Sequence, residues 1–182
     1  MMFSAILSLA VLSCTQAVSV ISPDSAALKH VSTHIGQNKE VSVDYYIPSS
    51  IRQEEAPVWR RQVNETNVCG ANCTTHCFTP SGGAPVPSPA ECNVIADALR
   101  YESENTGALF RVATATNVTM TYRSCKTFFI NQDFGGLVYC RTDWAALVDW
   151  LATSCQPAQN AHGGLCVAND QRWYVQVQHV RG

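Results

Sequence analysis

The chain predicts an α+β fold: a two-layer α/β sandwich in which two amphipathic helices lie on one face of a mostly antiparallel sheet, stapled by disulfides. Three observations carry this. Two segments place apolar residues at helical spacing, several others alternate apolar and polar residues, and eight of the nine cysteines fall between Cys69 and Cys166.

Taken in order, the chain opens with an apolar run from Phe3 to Leu12, followed by small and polar residues. Such a run is too short to span a bilayer, which needs about 20 apolar residues, and has the length of a signal-peptide core. Residues 1–18 are therefore expected to be a signal peptide that removes Cys14. Residues 19–61 hold no cysteine, show little periodicity and end at Arg60-Arg61, a dibasic pair that secretory processing proteases cut. They are expected to be a pro-segment, leaving residues 62–182 as one cysteine-rich domain. No later stretch is apolar enough to span a membrane, so the protein is expected to be secreted and extracellular.

The eight remaining cysteines are Cys69, Cys73, Cys77, Cys92, Cys125, Cys140, Cys155 and Cys166. An even number in a small exported chain reads as four disulfides. The stretch VCGANCTTHC could on paper offer zinc a shell of Cys69, Cys73, His76 and Cys77. An oxidising pathway instead sends its three cysteines to three partners farther along the chain, and no metal or cofactor is expected. The connectivity stays open. Three N-x-[S/T] sequons, at Asn64, Asn72 and Asn117, agree with export; Asn72 competes with the pairing of Cys73.

Within the domain, a Pro- and Gly-rich loop precedes a helix that begins with Ser88 as N-cap, Pro89 at the first position and Glu91 completing a capping box. Cys92, Ile95, Ala96 and Leu99 form its buried face, and it ends before Gly107. Phe110, Val112 and Thr114 alternate, as do Val118, Met120 and Tyr122, which predicts two strands joined near Thr116-Asn117. GGLVYCR is a short strand. Thr142 then caps a second helix with Trp144, Leu147, Val148 and Leu151 on its apolar stripe, and Asp143 suits the positive end of that helix. The Asp143/Asp149 pair reads as a solvated face. The ending GGLCVANDQRWYVQVQH predicts a hairpin that turns at Asn169-Asp170.

The formal net charge of −2 argues against a nucleic-acid partner, which calls for a basic stripe. For an enzyme, His162, His179, Lys126 and Arg172 carry suitable chemistry, but no spacing unites them as a catalytic set. His179 reads as a hydrogen-bonded structural histidine, and no catalytic activity is expected. The last strand presents Tyr174, Gln176 and Gln178 on the face opposite Trp173, Val175 and Val177, preceded by Asn169, Asp170, Gln171 and Arg172. Planar amides reach paired sugar hydroxyls and a ring covers an apolar sugar face. Asn169, Asp170, Gln171, Tyr174, Gln176 and Gln178 are therefore the candidate glycan-binding residues.

Together, CNVIADAL, YRSCKTFFINQ, YCRTDWAALVDWLATSCQ and above all GGLCVANDQRWYVQVQH give a sequence that resembles the small cysteine-rich glycan-binding proteins of mushrooms, the Y-three-like lectins. The resemblance covers about Cys69 to His179. It implies a single-domain α/β sandwich and a secreted fungal lectin recognising a fucosylated or N-acetylhexosamine-containing glycan. The cysteine-free leader departs from a bare lectin and implies a matured precursor. A killer-toxin-like or effector protein acting on a membrane or host target has a similar outline, and a small secreted hydrolase is the third alternative. Nothing in the sequence assigns an oligomeric state.

Overall fold

The computed structural model describes residues 28–48, 65–80, 83–114 and 116–180. The expected signal peptide, the Arg60-Arg61 pair and Asn64 lie outside the described residues. The architecture is the expected α+β sandwich. A seven-stranded antiparallel sheet has the order β1-β2-β6-β7-β10-β9-β4 (Leu28–Ile35, Val41–Pro48, Asn117–Tyr122, Cys125–Asn131, Trp173–His179, Gly163–Ala168, Cys73–Cys77). A second sheet, β3-β8-β5, joins Thr66–Asn67, Leu137–Cys140 and Leu109–Val112. Two helices, α1 (Pro89–Asn105) and α2 (Arg141–Ser154), pack on each other and on one face of the large sheet.

The core follows from the alternation. Val41, Val43, Val118, Met120, Cys125, Phe129, Trp173, Val175 and Val177 all turn to the helix side and are buried. From the helices, Ile95, Leu99, Trp144, Val148 and Leu151 meet them. Phe110, Phe129, Tyr139, Trp144 and Trp173 form a continuous aromatic cluster; Phe129 stacks on Trp173 with ring centroids 5.7 Å apart. Trp144 Nε1 donates to the buried Thr127 Oγ1 (3.1 Å), so its polar edge is satisfied inside the core.

Disulfides tie the layers. Cys69 bonds Cys140, Cys73 bonds Cys166, Cys77 bonds Cys155 and Cys92 bonds Cys125. The three cysteines of VCGANCTTHC thus reach three different partners, which leaves no thiolate for zinc. Cys92–Cys125 pins α1 to β7, and Cys77–Cys155 pins the edge strand β4 to the end of α2.

Several local expectations are corrected. Residues 28–48, inside the stretch read as having little periodicity, form the β1–β2 hairpin of the main sheet, with β2 paired to β6. The strands on either side of Thr116-Asn117 belong to different sheets: β5 pairs with β8, and β6 with β2 and β7. The second helix starts at Arg141, with Cys140 rather than Thr142 at its N-cap. Ser88 makes no side-chain cap bond. Instead Ser124 stands between the partners: its Oγ accepts from the Ser88 N–H (3.1 Å) and donates to the Glu91 carboxylate, which also takes the Ser124 N–H (2.9 Å). These bonds hold the Glu91 carboxyl below its ordinary range, the Ser124 hydroxyl being the largest cause. The Asp143/Asp149 pair is not merely a solvated face: Asp143 accepts from the Gly70 N–H (2.7 Å), while Asp149 binds Arg100 and Asn93 of α1.

Candidate functional site: the helix-free sheet face and its loop end

Because side chains alternate along a strand, the residues opposite the core line one broad face that, among the described residues, no helix covers. On β10 these are Tyr174, Gln176 and Gln178, all half-buried. The register aligns them with neighbours on both sides. Tyr174 stands between Ile130 and Val167, Gln176 between Phe128 and Leu165, and Gln178 between Lys126 and Gly163. The rows continue through β6 to β2, where Tyr46 lies beyond Asn117 and Asp44 beyond Thr119. The face therefore carries amides and hydroxyls framed by apolar and aromatic side chains.

Side-chain contacts hold this face in order. Gln176 Nε2 donates to Gln178 Oε1 (2.6 Å), which leaves Gln176 Oε1 and Gln178 Nε2 as the polar atoms not used in that bond. Lys126 Nζ sits 5.0 Å from the centre of the Phe128 ring, a cation–π contact beside those amides. Burial raises the Tyr174 phenol above its ordinary pKa, so it stays neutral and can donate a hydrogen bond. At the far end His30 stacks on Tyr46 (5.1 Å) and its Nε2 lies 2.8 Å from Asp44 Oδ1.

The loops at one end of the sheet form a second, adjoining feature. A shallow cleft of about 300 Å³ is lined by Thr74 and His76 of β4, Val167 and Ala168 of β9, and Asn169 and Gln171 of the β9–β10 turn. The turn is well fixed. Gln171 N–H closes on Ala168 O (2.8 Å), Asn169 N–H donates to Asn72 O (3.1 Å), and Thr74 Oγ1 donates to Asn169 Oδ1 (3.1 Å). Gln171 adopts φ 60°, a left-handed conformation, and lines the cleft.

Beside it, Asp170 Oδ1 accepts from Arg172 N–H (3.1 Å) and Oδ2 from the guanidinium (2.8 Å), while Arg172 also reaches Asp133 (3.5 Å). The Arg172 backbone N–H, then its side chain, hold Asp170 below its ordinary pKa. This ion pair ties the turn to the β7–β8 loop. At the tip of that loop Phe134 is wholly exposed, with a relative accessibility of 101%. The loop is braced by Asn131, whose Nδ2 lies 3.0 Å from the carbonyls of Val112, Ala113 and Gly135 and whose Oδ1 accepts from Asp133 N–H (2.8 Å).

The six residues picked from the sequence thus divide. Tyr174, Gln176 and Gln178 share the helix-free face; Asn169 and Gln171 line the cleft at its edge, where Thr74 pairs with Val167 and His76 with Leu165; Asp170 turns to Arg172 and takes no part in lining it. Sequence reasoning missed Thr74 at the cleft and Phe128, Ile130 and Tyr46 on the face, and it weighed His76 only as a zinc ligand and Lys126 only for enzyme chemistry. The alternation in VSVDYY was the available signal for Tyr46; the apolar run Phe128 to Ile130 offered none. His76 is exposed, His162 Nδ1 lies 2.8 Å from Ala84 O, and His179 Nδ1 lies 2.5 Å from Val180 O. These three of the five histidines sit at three separate places, and no pair of them is assembled on the cleft. Of the sequons, Asn72 is exposed, whereas Asn117 begins a central strand with its Oδ1 buried and unpaired. Among the described residues no helix is long and apolar enough to cross a membrane. No protein-family model matches the chain, and no curated protein matches it significantly.

Proposed function

We propose that the protein is a secreted fungal carbohydrate-binding protein, a lectin, whose ligand is a fucosylated or N-acetylhexosamine-containing glycan. The observation that carries the reading is the row Tyr174, Gln176 and Gln178. These side chains stand at sheet spacing on the helix-free face, between Phe128 and Ile130 on one side and Leu165 and Val167 on the other. Successive outward side chains on a strand lie about 7 Å apart, a spacing on the scale of a pyranose ring. The Gln176–Gln178 bond fixes both amides before a ligand arrives, which lowers the entropic cost of recognition. A ring face such as that of Tyr174 or Phe128 suits the apolar side of a sugar or an acetamido methyl group. The cleft at Asn169 and Gln171 would take the next residue of a branched glycan. The motif resemblance to the Y-three-like lectins supports the same activity class. Four disulfides and a leader of signal-peptide character support export.

One observation favours a second reading. Phe134 stands fully exposed on a loop braced by Asn131, an arrangement suited to an effector or toxin that inserts an apolar ring into a host receptor or membrane. A glycan array probed with the oxidised secreted protein separates the two. The lectin reading expects binding to a related set of structures, competed by free sugar and lost on reduction. A blank array from folded protein would give way to the effector reading.

A further inference from the structure

The β1–β2 hairpin is joined to the rest of the molecule in an unusual way for two strands of a main sheet. Every disulfide closes within Cys69–Cys166, so none reaches it. It is held by one strand edge, β2 on β6 from Ser42↔Thr121 to Tyr46↔Asn117, and by packing against α1. Yet that hold is extensive. Val41 and Val43 are completely buried in the core with Val118 and Met120, and Ile35 and Tyr45 pack against them. The hairpin turn at 36–39 is locally determined: Lys39 N–H closes on Gly36 O (3.0 Å), with Gly36 at φ 99° and Lys39 at φ 54°. Its Gly36 N–H reaches Glu102 of α1 (3.4 Å).

The polypeptide that follows the hairpin leads to Arg60-Arg61, and the disulfide-closed part begins at Cys69. We propose that cleavage after Arg61 yields a two-chain protein, in which the N-terminal piece stays docked non-covalently on β6 through its 28–48 hairpin. The step is a hydrolysis by a secretory endoprotease specific for paired basic residues. The Arg61–Gln62 amide bond breaks, water supplies hydroxyl to the Arg61 carbonyl, and the new amine forms on Gln62. The docking is strand addition within one gene product: backbone pairing to β6 gives affinity, and the valines entering the core set the register. Loss of the hairpin would leave β6 as an unpaired edge beside exposed Val118 and Met120, the condition that sheets avoid. The proposal is independent of the glycan reading, although the retained piece would keep His30, Asp44 and Tyr46 at one end of the open face.

The test is native and denaturing mass spectrometry of the secreted, unreduced protein, beside an R60A/R61A variant. The proposal expects one native species that denaturant alone, without reductant, splits into a piece ending at Arg61 and a piece beginning at Gln62, in equal amounts. The variant should give a single uncut chain. An uncut parent chain, a native species lacking the N-terminal piece, or the same two pieces from the variant would each overturn it.

Discussion

Asn131 is the most consequential polar side chain of the loop end, and its removal makes a quantitative test of how that end is built. It is 3% exposed, and its side-chain N–H groups serve three carbonyls, those of Val112, Ala113 and Gly135. Asn131→Ala removes all of these partners and the acceptor of the Asp133 N–H. The bond to Val112 O lies fully inside, so that carbonyl is left unsatisfied at a cost of about 1–3 kcal/mol. The other groups lie near the surface and recover water, each forfeiting about 0.5–1 kcal/mol. The expected loss is about 2.5–6 kcal/mol in urea unfolding of the oxidised protein, with an unchanged dependence on denaturant. Asn131→Asp should lose more, because it directs a carboxylate at the same three carbonyls. A stability within about 0.5 kcal/mol of the parent for Asn131→Ala, or a stable Asn131→Asp, would refute the reasoning.

Two other perturbations follow from the same structure. Replacing Cys92 and Cys125 together by Ala opens a loop of sequence separation 33 and should cost about 4 kcal/mol on the chain-entropy model, read as a lowered midpoint in urea unfolding; an unchanged midpoint would contradict that role. Glu91 has a carboxyl pKa depressed by Ser124, so its contribution is complete above the ordinary glutamate value of about 4.3 and is lost as the pH falls through the lower folded value. The stability gap between the parent and Glu91→Gln should therefore be present at neutral pH and close in acid; a gap that widens in acid would reverse the sign.

How much of this was legible depends on how local each signal is. Both helices show their buried faces in sequence, because Cys92, Ile95, Ala96 and Leu99, and Trp144, Val148 and Leu151, lie on single stripes. The β9–β10 hairpin was equally clear from Trp173, Val175 and Val177. The capping box was misread because the bond to Glu91 goes through Ser124, 33 residues away, and no local pattern can show that. The strand β7 was hidden by its own outward face: Phe128 and Ile130 are apolar, so FFI loses the alternation that Cys125, Thr127, Phe129 and Asn131 would otherwise display. The hairpin 28–48 contains the clear alternation Val41, Val43, Tyr45, yet its partner β6 is remote and no cysteine marks it. For the site, Tyr174, Gln176 and Gln178 were readable from one strand. Thr74 and His76 were not, since only the β4–β9 register brings them to Asn169 and Gln171.

The central claim is that the helix-free face holds a glycan through Tyr174 and Gln176. The direct measurement is sugar-competable glycan binding by the oxidised double variant Tyr174→Ala/Gln176→Ala, with its near-ultraviolet circular dichroism compared to the parent. Removing an amide and a stacking ring, at about 1 kcal/mol or more each, should weaken binding at least about 30-fold while the fold persists. Undiminished binding by a folded double variant would contradict the account and move the site elsewhere on the molecule.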